Sequence, residues 1–242
     1  MNILVVNDDG IDAKGIFILA SKLKAYGNVT VCAPDRGRSA ASHSIVLHES
    51  LYFTHVKSEN GISWYKTSGT PADCVRMPLK LLEDSFDIVF SGVNDGLNLG
   101  TDIIYSGTVA AAREANIEDI PAVAISTDFD SFSIVEKELD DVLAFIFKKN
   151  LYSKEYVLNV NFPTGNFISS KGYRFCRQGI KNFKTKFIPN DDGGYLNSDA
   201  AITYDTCKDT DVFLAEEGYI TFVPLQVEQT AYKYLEKLKK IS

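Results

Sequence analysis

A short apolar run near the start of the chain, Ile3-Leu4-Val5-Val6, leads directly into Asn7-Asp8-Asp9-Gly10. The run is typical of a buried strand, and Gly10 permits the sharp turn that closes it. Two adjacent carboxylates at the end of such a strand repel each other and lose hydration, so a nearby cation would stabilise them. Ligands bind at the carboxyl edge of open α/β sheets. The pattern therefore indicates a divalent cation at Asp8 and Asp9, with a solvated loop as the plainer alternative.

Composition limits the classes of function without choosing among them. The 242 residues are 45% hydrophobic and 24% charged, which suits one large domain, or a domain with an appendage, around a sizeable core. A net charge of -7 argues against a nucleic-acid partner, because a phosphate backbone requires clustered Lys and Arg. The four cysteines form no CxxC pair, which indicates reduced thiols. With neither a basic leader nor a run long enough to span a membrane, we expect a cytoplasmic protein without a membrane partner.

The first half of the chain alternates apolar strands with helices. Strands are predicted at 2–7, 28–33, 86–90 and 121–125, and helices at 13–26, 107–116 and 133–149. Ser133 and Glu136 have the spacing of a capping box at the start of the last helix. Near-continuous apolar strands separated by helices predict an α/β fold, in which a mostly parallel sheet carries helices on both faces.

The second half has the pattern of strands and hairpins without intervening helices. Strands are predicted at 156–162, 173–177 and 219–223, and a short helix at about 230–240. This order predicts an antiparallel C-terminal extension. A second Asp-Asp-Gly, at 191–193, follows Pro189-Asn190 and is interpreted as a hairpin turn with no chemistry. The final helix has a narrow apolar stripe that requires a partner in this subunit or in another.

Loops that follow the predicted parallel strands meet at one edge of the sheet. They supply carboxylates, amides, hydroxyls and many glycines, in segments 7–10, 34–44 and 91–100. Tyr105-Ser106-Gly107-Thr108 then opens a helix, and backbone N–H groups at a helix N-terminus suit a phosphate. Magnesium takes carboxylate and neutral oxygen ligands while leaving positions for water and phosphate. Each segment alone is weak evidence, but their joint occurrence predicts a metal-assisted phosphate site.

At these motifs the chain resembles the survival protein E (SurE) family of metal-dependent nucleoside-monophosphate phosphatases. The resemblance spans nearly the whole chain, in order. It is carried by residues 3–10 (ILVVNDDG), 33–39 (APDRGRS), 67–75 (TSGTPADCV), 91–100 (SGVNDGLNLG), 105–114 (YSGTVAAARE), 158–163 (LNVNFP), 177–179 (RQG) and 218–225 (GYITFVPL).

The resemblance implies a single domain over 1–242 with a Rossmann-like α/β core at 1–150. The extension at 151–242 is then expected to help form a homodimer or homotetramer. The implied activity is hydrolysis of nucleoside 5′- and 3′-monophosphates by a phosphoric monoester hydrolase, with short polyphosphate as a further candidate substrate. Small nucleotides are the implied partners.

The same resemblance implies a set of site residues. One divalent ion, most simply Mg²⁺ or Mn²⁺, is held by Asp8, Asp9, Ser39 and Asn94. The phosphate is held by Asn98, Ser106, Gly107 and Thr108. Asp8 and Asp9 are the implied catalytic pair, and Asp9 is favoured as the base, although sequence does not separate base from ligand. Asp95 departs from the family pattern by adding a negative charge beside the expected metal.

Four other classes fit less well. A signalling receiver requires a phosphorylatable aspartate after its third strand, where this chain has Ser91. A haloacid-dehalogenase-type phosphatase requires a second acid two residues after the nucleophile, and the residue two positions after Asp8 is Gly10. A nicotinamide-dependent oxidoreductase requires GxGxxG after the first strand. A nucleotide-binding module without catalysis stays open, because binding and hydrolysis use the same ligands.

Overall fold

The computed structural model describes residues 1–204 and 207–241 of the chain. Its strands are β1 Asn2–Val6, β2 Asn28–Pro34, β3 Phe53–Glu59, β4 Ile62–Thr67, β5 Ile88–Asp95, β6 Ala122–Thr127, β7 Val157–Asn161, β8 Tyr173–Phe175, β9 Lys181–Pro189, β10 Tyr195–Tyr204 and β11 Ile220–Leu225. Its helices are α1 Lys14–Leu23, α2 Asp73–Leu81, α3 Asp102–Tyr105, α4 Gly107–Ile117, α5 Phe132–Lys149, α6 Asp211–Glu216 and α7 Tyr232–Leu238.

Within the described ranges, nine strands form one sheet in the order β3-β4-β2-β1-β5-β6-β7-β11-β8. The strands from β4 to β7 in that order run parallel, β3 runs antiparallel to β4, and β11 runs antiparallel to β7. Because β1 lies between β2 and β5, the loops that follow these three strands meet at the carboxyl edge of the sheet. The predicted α/β class with a mostly parallel sheet is confirmed.

Alternating side chains of β1 show why the sheet needs helices on both faces. Ile3 and Val5 pack into one core with α1 and α5, whereas Leu4 and Val6 pack into a second core with α2 and α4. All four side chains are fully buried. A strand buried on both faces is apolar throughout, which explains the unbroken run in the sequence.

The C-terminal part of the chain contributes both to the main sheet and to a separate hairpin. Strand β11 pairs antiparallel with β7, but β8 pairs parallel with β11, which the prediction of an antiparallel extension did not include. Strands β9 and β10 form a two-stranded antiparallel hairpin. The short helix α6 interrupts a region that was predicted to contain no helix. The division at residue 150 and the role of the extension in oligomers stay predictions.

One local prediction is corrected, at the start of α5. Helix α5 already begins at Phe132 with Ser131 as its N-cap residue, so Ser133 lies inside the helix and forms no capping box. Glu136 pairs instead with Lys14 of α1, at 2.9 Å. Helix α7 is present, but none of its residues is buried. In residues 1–204 and 207–241, no helix has the length and apolar character that crossing a membrane requires.

Candidate active site

Asp8 sits at the end of β1 against the first turn of α4. The Thr108 hydroxyl donates a hydrogen bond to Asp8 Oδ1. A Cβ atom on Gly107 would lie 2.8 Å from Asp8 Cβ and 3.0 Å from Pro71 Cγ, so only glycine allows this approach. Burial raises the pKa of Asp8, and the hydrogen bond from Thr108 acts against that rise. The positive end of the α4 dipole favours the ionised carboxylate in this position.

Asp9 is half-buried beside Asp8 and faces a cleft. Its Oδ2 accepts a hydrogen bond from the Asp95 backbone N–H at 3.1 Å. Burial, followed by the repulsion of Asp8, raises the pKa of Asp9 to about 6. Among the described residues, neither carboxylate forms an ion pair with Lys or Arg. Their charges therefore remain uncompensated by the protein.

The turn after β1 is closed by Asn7, whose role the sequence prediction did not include. The buried Asn7 side chain accepts from the Gly10 N–H at 3.2 Å and donates to the Gly10 carbonyl at 2.9 Å. Gly10 has a φ of 104°, and a Cβ atom there would lie 3.2 Å from the Arg36 carbonyl carbon. This turn therefore places Asp8 and Asp9 at the carboxyl edge of the sheet, and it packs against the loop that follows β2.

Ser39 is exposed in the loop that follows β2. The Arg38 N–H donates to the Asp8 carbonyl at 2.7 Å, and the Ser42 N–H donates to the Tyr105 carbonyl at 3.0 Å. Further along, His43 Nε2 lies 2.8 Å from the buried Glu114 carboxylate of α4. These contacts fix the loop on both sides of Ser39 and bring its hydroxyl to the cleft.

Asn94 lies near the end of β5, and Asn98 lies in the loop that follows this strand. Asn94 Nδ2 donates to the Gly96 carbonyl at 2.6 Å, so the amide oxygen is the atom available for a cation. The Asn98 backbone is held by two buried β7 asparagines. Asn161 accepts from its N–H at 2.8 Å, and Asn159 donates to its carbonyl at 3.0 Å. In the sequence, the signal for this contact is the alternation of Asn159 and Asn161 with apolar residues in a buried strand.

Ser106 is the N-cap of α4, where its Oγ accepts from the Val109 N–H at 3.0 Å. Ser106 is buried, and it lines the cleft. Thr108 and Gly107 do not line the cleft. They lie behind Asp8 and contact that carboxylate instead. The predicted phosphate-binding role of these two residues remains a prediction.

The cleft has a volume of about 200 Å³. It brings together most of the predicted site residues and adds others: Asp8, Asp9, Ser39, Ala40, Asn94, Asp95, Gly96, Leu97, Asn98, Asp102, Tyr105, Ser106 and Phe129. Residues from four loops therefore meet at one place, as expected for the carboxyl edge of a parallel sheet.

The donor atoms at the cleft fit a hard divalent cation. The four predicted metal ligands supply two carboxylates, one hydroxyl and one amide oxygen, which is the oxygen-rich set that Mg²⁺ and Mn²⁺ prefer. Within the described part of the chain, no three His, Cys, Asp or Glu side chains form a metal cluster by themselves. Two repelling carboxylates without a protein cation, supplemented by neutral oxygens, would be stabilised by a bound metal ion.

A larger cavity, of about 720 Å³, lies on the other side of α3 and contains none of the predicted site residues. It is lined by Ile104, Arg113, Glu155, Tyr156, Cys176, Arg177, Gln178, Val223, Pro224, Leu225, Gln226, Glu228 and Gln229. We do not assign the active site to this cavity despite its size, because the adjacent carboxylates at the end of β1 do not line it. We therefore assign the chemistry to the smaller cleft.

These features define a class of protein: an α/β protein that binds ligands at the carboxyl edge of its sheet, with oxygen ligands for a cation beside a helix N-terminus that suits an anion. A family model described as "Survival protein SurE" matches residues 3–185. A relative named 5′-nucleotidase SurE from Clostridium botulinum strain 657 is 40% identical, with the alignment covering 100% of this chain and 99% of the relative. The relative from strain Alaska E43, which has the same name, is 38% identical over the same shares.

A solved structure agrees with these sequence comparisons. The crystal structure of SurE protein from Aquifex aeolicus has a TM-score of 0.79 and 34% identity, covering 100% of this chain and 99% of that chain. The chain belongs to the SurE family. Membership in a family with relatives named 5′-nucleotidase confirms the predicted enzyme class, a phosphoric monoester hydrolase.

Proposed function

We propose that this protein is a metal-dependent phosphatase that hydrolyses nucleoside 5′-monophosphates, and also 3′-monophosphates, to nucleoside and inorganic phosphate. Short polyphosphate is a further proposed substrate. The observation that carries the proposal is the Asp8–Asp9 pair, which faces a cleft without a compensating cation and beside the N-terminus of α4. The names of the C. botulinum relatives support the nucleotide as substrate.

The proposed ligands of one divalent ion, Mg²⁺ or Mn²⁺, are Asp8, Asp9, Ser39 and Asn94. A bound ion of this kind polarises the phosphoryl group and lowers the pKa of water. The chain itself fixes the ligands: Thr108 orients Asp8, the Asp95 N–H orients Asp9, and the loop contacts of Arg38 and Ser42 place Ser39. These contacts keep the donor atoms in position before a substrate arrives.

Asp9 is proposed as the base that accepts a proton from the attacking water. It is less buried than Asp8, and it faces the cleft in which the attacking water would lie. Asp8, fixed by Thr108, is then the more static ligand. Asn98 and Ser106 are proposed to bind the phosphate oxygens, with support from the N–H groups of Gly107 and Thr108 at the start of α4.

A homodimer or homotetramer in the cytoplasm is the proposed setting. Exposed apolar side chains are concentrated on hairpin β9–β10, where Phe187 is 64% exposed and Tyr195 is 69% exposed. Helix α7 adds Leu238, which is 62% exposed. Patches of this kind commonly mark protein–protein contacts, which supports a role for the C-terminal extension in assembly.

Phosphate release from a panel of nucleoside monophosphates tests the proposal. The panel includes 5′-AMP, 3′-AMP and a short polyphosphate, each assayed with Mg²⁺, Mn²⁺ or EDTA. Metal-dependent release that is lost in a folded Asp9→Asn variant is the expected result. No release with any metal would contradict the enzymatic proposal and leave a nucleotide-binding module.

A further inference from the structure

Phe129 is an exposed aromatic residue at the rim of the cleft. Its side chain is 73% exposed, yet it lines the same cavity as Asp8 and Asp9. Tyr105, which is 52% exposed, also lines this cavity. Isolated exposed apolar residues are common on protein surfaces and by themselves indicate nothing. Phe129 differs from them because the structure fixes the loop that carries it.

Three hydrogen bonds hold the Phe129 loop between β6 and α5. The Asp130 N–H donates to Asp95 Oδ1 at 2.9 Å, and the Gly165 N–H donates to Asp128 Oδ2 at 2.8 Å. Ser131 Oγ donates to the Phe129 carbonyl at 3.1 Å. The loop is therefore anchored to the end of β5 on one side and to the segment after β7 on the other.

Gly96 provides the surface on which the Phe129 ring lies. A Cβ atom at Gly96 would lie 3.0 Å from Phe129 Cζ and 3.2 Å from its Cε1, so a side chain there would displace the ring. Gly96 also has a φ of 139°, a conformation that favours glycine. The ring therefore lies against Gly96 beside the proposed metal and phosphate ligands, with most of its surface exposed to solvent.

We infer that Phe129 is the surface on which the base of the substrate nucleotide stacks, an inference that rests on the proposed nucleotidase function. With the phosphate at Asn98 and Ser106, the nucleoside must extend out of a cleft of about 200 Å³ towards the rim, where Phe129 lies. Stacking on an aromatic face accepts any base, because every base has a π-face. The inference therefore predicts a broad base range and weaker binding of ribose 5-phosphate than of nucleoside monophosphates.

Asp95 acts as a positioning residue for this surface. Its backbone N–H binds Asp9, and its side chain accepts the hydrogen bond from Asp130, so it connects the base-stacking loop to the catalytic turn. This gives a role to the acidic residue that departs from the family pattern. The Asp95 side chain holds the Phe129 loop through the Asp130 N–H.

Calorimetric titration with AMP and with ribose 5-phosphate, both as non-hydrolysable phosphonate analogues in Mn²⁺, tests the inference. We expect the wild-type protein to bind AMP at least about tenfold more tightly than ribose 5-phosphate, the scale of one base–aromatic stack. Phe129→Ala should bring the two affinities together, and Phe129→Tyr should retain the difference. Phe187→Ala, which removes an exposed phenylalanine on β9, is the matched control and should also retain it.

Two substitutions of Asp95 separate its positioning role from its charge. Asp95→Asn keeps an oxygen acceptor for Asp130 and should retain the preference for AMP over ribose 5-phosphate. Asp95→Ala removes the acceptor and should reduce that preference several-fold. An unchanged AMP preference in Phe129→Ala would overturn the inference. Because binding is measured without turnover, loss of the preference in that variant supports base stacking even if the protein hydrolyses no nucleotide, in which case only the proposed activity fails.

Discussion

The same three letters, Asp-Asp-Gly, occur twice in this chain in opposite physical settings. At residues 8–10 they follow a buried parallel strand, and the pKa values of both aspartates are raised by burial. At residues 191–193 they form the tip of the β9–β10 hairpin, and both aspartates are exposed. The hairpin turn is closed by the Asn190 N–H, which donates to the Gly194 carbonyl at 3.0 Å.

The difference lies in what surrounds each glycine. A Cβ atom on Gly10 would approach the backbone of the next loop to 3.2 Å, whereas a Cβ atom on Gly193 would have no atom within 4 Å. The first turn is therefore packed into the meeting point of several loops, and the second projects into solvent. The same short acidic motif can therefore form a ligand site at the buried edge of the sheet and a simple turn on the surface.

Removing one carboxylate from each Asp-Asp-Gly motif should produce the largest difference between the two motifs, measured in kcat/KM. Asp9→Asn deletes the proposed base and a metal ligand, so we expect kcat/KM for AMP to fall by about 10²–10⁴-fold. Asp192→Asn should leave kcat/KM within about twofold of the wild-type value, because exposed surface substitutions away from a site have small effects. Steady-state phosphate release with Mn²⁺ measures both. Equal losses in the two variants would remove the distinction between the motifs.

Loss of the hydrogen bond from Thr108 to Asp8 should have an intermediate effect, on the affinity for the metal ion. Thr108→Val preserves the shape of the side chain but removes the hydroxyl that donates to Asp8. Residues that orient metal ligands typically contribute about 10–100-fold to metal affinity, so the Mn²⁺ concentration for half-maximal activity should rise by that factor. Thr108→Ser keeps the hydroxyl and is the matched control. An unchanged metal requirement in Thr108→Val would show that Asp8 does not depend on this bond.

Substituting alanine for each glycine compares the two turns without changing charge. Both glycines have positive φ, 104° for Gly10 and 84° for Gly193, so each substitution introduces backbone strain of about 1–3 kcal/mol. Gly10→Ala adds contact with the backbone of the next loop and should destabilise the protein more than Gly193→Ala. Denaturant unfolding measures the two free energies, and activity should fall only in Gly10→Ala. A larger loss for Gly193→Ala would refute the packing argument.

The pH dependence of stability should show the smallest effect. The pKa of Asp9 is raised in the folded protein to about 6, so between about pH 4 and 6 the folded state binds more protons than the unfolded state. Asp9 therefore makes the metal-free protein less stable as pH rises through this range, and Asp9→Asn should remove that contribution. Thermal unfolding in EDTA at several pH values gives the comparison. Asp192→Asn should follow the wild-type curve.

The parallel strands β1, β2, β5, β6 and β7 were predictable because they are largely buried on both faces and form apolar runs. The parallel strand β4, which is only partly buried, was not predicted. Strand β3, which was not predicted, lies at the sheet edge with most of its residues exposed, so it has no such run. Helix α2 was also missed, and it contains Pro78, a residue that ordinarily argues against a helix. The position of β8 beside β11 depends on distant pairing that local patterns do not encode.

For the site, the sequence predicted which residues gather but not how each is held. Asp8, Asp9, Ser39 and Asn94 all line one cleft, although their roles stay proposals. The helix N-terminus suggested a phosphate site, but Thr108 contacts Asp8 instead of lining the cleft. Such contacts arise from the packing of α4 on β1, a distance of 100 residues along the chain, and no local motif reveals them.

Direct titration of Mn²⁺ tests the central claim that only the first Asp-Asp-Gly holds a metal ion. Calorimetry on the wild-type protein should give a single Mn²⁺ per chain. The double variant Asp191→Asn/Asp192→Asn should bind the ion as the wild type does, and Asp8→Asn/Asp9→Asn should bind none while remaining folded by circular dichroism. Unchanged Mn²⁺ binding after removal of Asp8 and Asp9 would contradict the account.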